Sequence, residues 1–171
     1  PHGIHVDSDG NVWATDFGGN EAGTKGHQVI KFSPEGEVLM RLGEAGVAGS
    51  GPGQFNQPND VITAPNGDIF VSEGHRGQSA DPPPDASGRI SKFDKDGNFI
   101  KAWGEIGFRP GQFRTPHAME FDSQGRLYVA DRGNHRIQVF DQDGNPILDE
   151  NDTPVIYMNY SRISGLFITD D

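Results

Sequence analysis

The sequence contains no cysteine, so it can form no disulfide and do no thiol chemistry, and cysteine usage says nothing about its compartment. No run of about 18 apolar residues occurs either, so no segment reads as a membrane-spanning helix. Positive charge is scarce: 14 Lys and Arg stand against 25 Asp and Glu, a formal net charge of −11. A nucleic-acid binder needs a basic face, and this balance argues against one. The acidic residues are spread along the turns, as on a solvated surface, rather than gathered in a tail. No window of helical length escapes glycine or proline, which excludes a helix bundle. Those two residues are what the chain has in plenty. With 24 Gly and 12 Pro in 171 residues, it lies well above average usage but below the roughly 25–30% typical of low complexity. The composition is that of a turn-rich, all-β chain. Pro1-His2-Gly3 is neither a translation start nor a signal peptide, so the sequence is expected to begin and end inside a larger architecture.

Self-similarity organises the sequence. The stretch from Pro1 to Asp16 recurs from Pro58 to Glu73 and again from Pro116 to Asp131, at spacings of 57 and 58 residues. The pattern restarts 47 residues after Pro116, at Ile163. Each unit reads as four short strands separated by turn signals. In the first unit these are 3–7, 11–16, 28–33 and 37–42; the later third and fourth strands are 89–94 with 98–103, and 136–141 with 146–148. A Gly-Gln-Phe phrase, Gly53-Gln54-Phe55 and Gly111-Gln112-Phe113, precedes the next opening proline. Repeated four-strand units of this length are the signature of β-propeller blades. His135-Arg136-Ile137-Gln138-Val139-Phe140-Asp141, with Gly43 and Gly104 closing the fourth strands, resembles the NHL repeat. The expected fold is therefore an all-β propeller of four-stranded NHL-type blades. The units are 1–57, 58–115 with a long rim loop at 74–88, 116–162, and 163–171 as the first strand of a further blade. Three blades cannot close a ring. The chain is expected to be about half of a six-bladed ring, either a segment of a longer one or one partner of a homodimer that completes it.

In an up-and-down meander, the start of strand one, the end of strand two and the start of strand three share one end of the blade. That rim collects the loops that carry function. His2, Asn59 and His117 sit there as the residues after each opening proline, lining the channel, and loops 17–27, 73–88 and 132–135 face it. The Gln78–Gly88 stretch, with Pro82-Pro83-Pro84, reads as a stiff excursion over the rim, either an idle insertion or a wall that gates substrate. His2 and His117 occupy equivalent positions two blades apart. They suit a Zn²⁺ site that leaves one position open for chemistry, or a polar channel lining bridged by water. His5, out of phase with His2, should pack on the neighbouring blade. His27 and His135, just before third strands, read as structural. His75 lies in the long loop facing the channel, where a role in the site or none at all fits its position.

Within NHL proteins the sequence most resembles peptidyl-α-hydroxyglycine α-amidating lyase. That family opens successive inner strands with Pro-His-Gly-Leu, Pro-Thr-Asp-Val and Pro-His-Ser-Leu; here they are Pro1-His-Gly-Ile, Pro58-Asn-Asp-Val and Pro116-His-Ala-Met. Ala130-Asp131-Arg132-Gly133-Asn134-His135-Arg136-Ile137-Gln138 resembles the family's Ala-Asp-Arg-Glu-Asn-Gly-Arg-Ile-Gln, and Trp103-Gly104 and Pro110-Gly111-Gln112-Phe113 match as well. The resemblance implies a six-bladed ring with a catalytic zinc on three channel histidines and a structural calcium deeper in the channel. His2 and His117 match two zinc ligands, the carbonyl of Ile4 a calcium ligand, and Arg132 an arginine that holds the substrate carboxylate. The reaction implied is cleavage of the N–Cα bond of a peptidyl-α-hydroxyglycine to a peptide amide and glyoxylate. Family analogy also points to a secreted or periplasmic location. The family's active-site tyrosine falls at His75, whose imidazole could serve as the base. The third zinc histidine, an upstream arginine and the disulfides have no counterpart, and the fourth opening offers Ser164. The expected partner is a small-molecule or peptide substrate, with neither nucleic acid nor membrane. The competing readings are a non-catalytic NHL module that binds protein or a small ligand on its rim, and calcium-dependent lactonase-like chemistry, for which Asn59 is the support.

Overall fold

The computed structural model describes residues 1–158 and 160–169. It holds three four-stranded antiparallel sheets, each paired in chain order. The first is β1 (Ile4–Val6), β2 (Val12–Asp16), β3 (Gln28–Phe32) and β4 (Val38–Leu42). The second is β5 (Pro58–Thr63), β6 (Ile69–Glu73), β7 (Arg89–Phe93) and β8 (Phe99–Trp103). The third is β9 (Pro116–Phe121), β10 (Leu127–Asp131), β11 (Arg136–Phe140) and β12 (Ile156–Tyr157). These are propeller blades, and the all-β expectation holds: among the described residues the only helical pieces are short 3₁₀ turns at His75–Gln78 and Arg132–Asn134.

Much of the acidity has a local task. In blade after blade, an aspartate carboxylate closes a hairpin by accepting backbone N–H groups two and four residues on. Asp7 Oδ1 takes those of Asp9 (3.1 Å) and Asn11 (2.9 Å), and Asp94 Oδ1 takes those of Asp96 (2.9 Å) and Asn98 (2.8 Å). Asp122 and Asp141 repeat the arrangement. The side chain stands in for a backbone turn partner, leaving the following glycine to supply positive φ: Gly10, Gly97, Gly125 and Gly144 all do so.

Period-two alternation builds both blade interfaces from one strand. Along β6, Ile69 and Val71 join Trp13, Val29, Leu42, Phe55 and Phe93 in the core between the first and second blades. Phe70 points the other way, into the core with Met119, Leu127, Val129, Phe113 and Phe140. All five residues of β6 are buried, whereas β2, in a blade with one neighbour, alternates buried and half-buried. Phe55 and Phe113 of the Gly-Gln-Phe phrases are wholly buried. A Cβ on Gly43 would meet Phe55, and one on Gly104 would meet Phe113, so each fourth strand closes on a glycine that lets the phenylalanine in.

One expected strand falls elsewhere. The outer strand of the third blade is not 146–148: Pro146 makes only an isolated bridge to Phe140, and β12 pairs with β11 instead. Between them a second aspartate turn, with Asp149 Oδ1 accepting from Asn151 (2.8 Å) and Thr153 (3.0 Å), folds the chain back on itself. Residues 163–169 of the expected fourth-blade strand run outside any strand, because no described segment pairs with them; Asp170 and Asp171 lie outside the described residues.

Candidate metal centre

His2, His75 and His117 converge, each offering one ring nitrogen within 4.8 Å of the others. His2 and His117 are 4.8 Å apart between ring centroids, and His75 is 5.3 Å from His2 and 5.7 Å from His117. His2 precedes β1 and His117 is the second residue of β9, so repetition of the blade brings both to one height on the rim. Each donates Nδ1–H to the carbonyl of a later opening, His2 to Asn59 (2.9 Å) and His117 to Ser164 (3.1 Å). That fixes the tautomer and leaves Nε2 with its lone pair, the arrangement of a metal-ligating imidazole with an oriented outer partner. Asn59 itself is fully buried, with Nδ2–H on the Pro116 carbonyl (2.9 Å).

His75 arrives by a different route. Gly74, at φ 110°, turns the chain out of β6 where a Cβ would overlap the Ser87 carbonyl; only glycine takes that turn without strain. Thr115 Oγ1 is 3.2 Å from the Gly74 carbonyl and 3.0 Å from that of His75. Arg114 Nε–H donates to Gly77 O (2.9 Å) and its guanidinium also reaches Ser79 O. The 3₁₀ turn is thereby tied to the two residues that lead into β9 and His117. Buried Glu73 anchors its base, accepting Arg89 Nε–H and Ser87 Oγ–H (2.6 Å each) and Asn56 N–H (3.0 Å).

Arg132 stands at the centre as well, its Nη1–H donating to His117 Nε2 at 2.9 Å. It follows Asp131, which is fully buried and bound to Arg136 (2.9 Å) and Asn134 (2.7 Å). Burial, then His2, Arg132 and His75 beside it, push His117 down to about 4. Burial, His2 and Arg132 lower His75 also. Both rings are therefore neutral lone-pair donors at ordinary pH, the form a metal takes. Phe17, which the sequence reading did not single out, walls the cluster: it stacks on His2 (5.0 Å) and meets His75 edge-on (5.2 Å). Its only sequence signal was an aromatic directly after β2, at the head of a rim loop.

Ile4 lies on the same channel. With Thr15 N–H bonded to Gly3 O, the antiparallel alternation turns the Ile4 carbonyl to the free inner edge of β1. The adjoining cleft, about 230 Å³, is lined by Ile4, Asp60 and Glu120 among others. Burial, opposed by N–H groups of Met119 and Val61 and reinforced by Glu120, pushes Asp60 up to about 6. His5 bonds Thr63 Oγ1 of the neighbouring blade (2.9 Å), as its phase requires, and His27 accepts Gln57 N–H (3.2 Å). His27 and His135 both sit at positive φ, 59° and 55°, just ahead of third strands. The proline stretch turns back at Pro83–Ala86, where Ala86 N–H bonds Pro83 O (2.8 Å), and Pro84–Gly88 line a cleft of about 600 Å³ beside Ser50 and Glu105.

Three such blades make the fold a β-propeller, and the NHL repeat family model matches residues 113–140. It is 42% identical over 147 residues to peptidyl-glycine alpha-amidating monooxygenase B of Xenopus laevis, covering 82% of this chain and 15% of that protein. It is 36% identical over 145 residues to the probable peptidyl-alpha-hydroxyglycine alpha-amidating lyase pgal-1 of Caenorhabditis elegans, covering 82% and 36%. To NHL repeat-containing protein 3 of Homo sapiens it is 38% identical over 148 residues, covering 84% and 40%. The chain thus spans well under half the length of these relatives. In fold it is similar to virginiamycin B lyase from Staphylococcus aureus, with a TM-score of 0.54 at 14% identity, covering 93% of this chain and 41% of that one.

Proposed function

We propose that the intact protein is a zinc-dependent lyase that cleaves peptidyl-α-hydroxyglycines to a peptide amide and glyoxylate. The observation that carries this reading is the convergence of His2 and His117, each with Nδ1–H held by a backbone carbonyl and Nε2 free of the backbone. The donor set fits the metal: three imidazoles whose ring nitrogens gather within 4.8 Å on one rim. His2 and His117 would hold the zinc, which when bound would polarise the substrate's α-hydroxyl. Arg132, whose planar fork matches a carboxylate, would bind the glycine carboxylate. Phe17 would shield one flank from water. In the reaction the hydroxyl proton leaves, the glyoxylate C=O forms, the N–Cα bond breaks, and the amide nitrogen takes up a proton. Similarity to the amidating lyases supports this substrate class. Calcium would sit deeper in the channel at the Ile4 carbonyl, where Asp60 and Glu120 supply negative charge. Three blades leave a ring open, and further blades, from a longer chain or a second copy, would close it.

The test is glyoxylate release from an N-acylated peptidyl-α-hydroxyglycine by the intact, zinc-loaded protein. Release that falls away in His117→Ala supports the proposal. A protein that binds zinc and releases none is instead a rim-binding module.

A further inference from the structure

We infer that His75 is the third protein ligand of this metal centre rather than its base, and that Gln78 holds it in the tautomer a ligand requires. The inference rests on the zinc reading above and deepens it. It would place three of the site's ligands within these blades.

Three observations converge. First, His75 belongs to the same cluster as the two repeat-related histidines, all three nitrogens within 4.8 Å. Second, it is braced for position: Thr115 on the Gly74 and His75 carbonyls and Arg114 on Gly77 tie its turn to the lead-in of the strand that carries His117. A metal site needs its ligands on elements that keep fixed distances, and a single rigid junction serves His75 and His117 together. Third, the Gln78 carboxamide lies against His75, with Nε2 at 3.0 Å from Nδ1 and 3.5 Å from the other ring nitrogen, while its Oε1 is buried without a partner. A buried, unpaired carbonyl oxygen is costly. Turning the amide by half a revolution about its last bond exchanges two atoms of nearly equal size. Oε1 then accepts Nδ1–H, the amide nitrogen takes the place that Oε1 held, and Nε2 of His75 is left with its lone pair. All three imidazoles would then share one scheme: Nδ1–H on an oxygen (Asn59 O, Gln78 Oε1, Ser164 O) and a lone pair on Nε2, which in His117 accepts Arg132 Nη1–H. A carbonyl partner on the far nitrogen is what orients a ligating histidine.

Metal binding, read separately from activity, decides it. The apo protein would be titrated with Zn²⁺ against a chromophoric chelator and with Co²⁺ by visible absorption, folding being checked by circular dichroism. The wild type should take up about one equivalent with the strong bands of a four-coordinate Co²⁺ site. His75→Ala should weaken binding by more than the roughly 10–100-fold typical of an outer-sphere change, and Gln78→Leu should fall within that range. Gln78→Glu, which can only accept, should keep wild-type affinity. Unchanged affinity and an unchanged Co²⁺ spectrum in His75→Ala would overturn the inference while leaving zinc on His2 and His117. A wild type that binds no metal overturns both. If His75→Ala does not fold, long-range ¹H–¹⁵N spectra of the zinc-loaded wild type decide: three imidazoles bound through Nε2 support the inference, and only two refute it.

Discussion

His117 donates Nδ1–H to the carbonyl of Ser164 at 3.1 Å, as His2 does to Asn59 at 2.9 Å. The two bonds are one device used twice, although Asn59 heads a strand and Ser164 does not. The carbonyl of a later opening holds the ring of an earlier one, and the propeller repeat thereby sets where the imidazole lone pairs go.

If those lone pairs hold a metal, its removal must cost stability. A ligand at about 100 times its Kd adds roughly 2.7 kcal/mol to the folded state. Zinc should therefore raise the Tm of the apo protein, a chelator should reverse the rise, and His117→Ala should abolish it. A Tm indifferent to zinc in all three preparations would contradict the centre.

Gly74 is the hinge that delivers His75. At φ 110° an alanine is strained, and its Cβ overlaps Ser87 O. Strain of this kind costs on the order of 1–3 kcal/mol before the overlap is counted. Gly74→Ala should lower stability in denaturant by at least that much and weaken metal binding with it. Unaltered values for both would show that the turn relaxes freely.

Glu73 and Arg89 form a buried pair, 2.6 Å apart, with the carboxylate wholly enclosed. Glu73→Ala leaves the guanidinium without its partner and frees Ser87 and the Asn56 amide. Breaking a buried pair from one side costs about 3–5 kcal/mol. The variant is expected near that figure by urea unfolding, whereas a cost under about 1 kcal/mol would mean that water replaces the carboxylate.

Asp7 supplies a pH dependence. Burial would raise its carboxyl, but Lys31, Trp13 and Asn11 outweigh that and hold it well below the usual carboxylate range. A lowered folded value means that the ionised form stabilises the fold above the unfolded pKa near 4, and that this contribution is lost as pH falls below it. Asp7→Asn should be destabilised by about 1–3 kcal/mol at pH 7. The gap to wild type should narrow steadily below about pH 4. A gap independent of pH would remove the charge from the explanation.

Arg132 offers a kinetic test of the proposed substrate. Arg132→Lys keeps the charge and loses the fork, so KM should rise about 10–100-fold, the equivalent of one or two charged hydrogen bonds. A KM that stays put would take the carboxylate away from Arg132.

The repeat was legible because its signals are local. Opening prolines, Asp-x-x-Gly turns and alternating strands such as Val12–Asp16 each act within a few residues, and their spacing alone placed His2, Asn59 and His117 on one rim. The outer strand of the third blade was missed for a complementary reason. Two turn signals, Asp141 to Asn145 and Asp149 to Thr153, stand close together, and which segment pairs with Gln138 is settled by packing across the sheet.

The site divides in the same way. Sequence by itself determined the all-β class, the three blades, and the equivalence of His2 and His117, since those follow from periodicity. Only the tertiary structure decided that His75 joins them, that Phe17 walls them, and that Gln78 faces His75. His75 and Gln78 sit in an irregular loop with no repeat partner, and their placement depends on Gly74 turning left and on Arg114 and Thr115 reaching across some 40 residues of chain to hold the turn. No local propensity encodes a contact made at that distance.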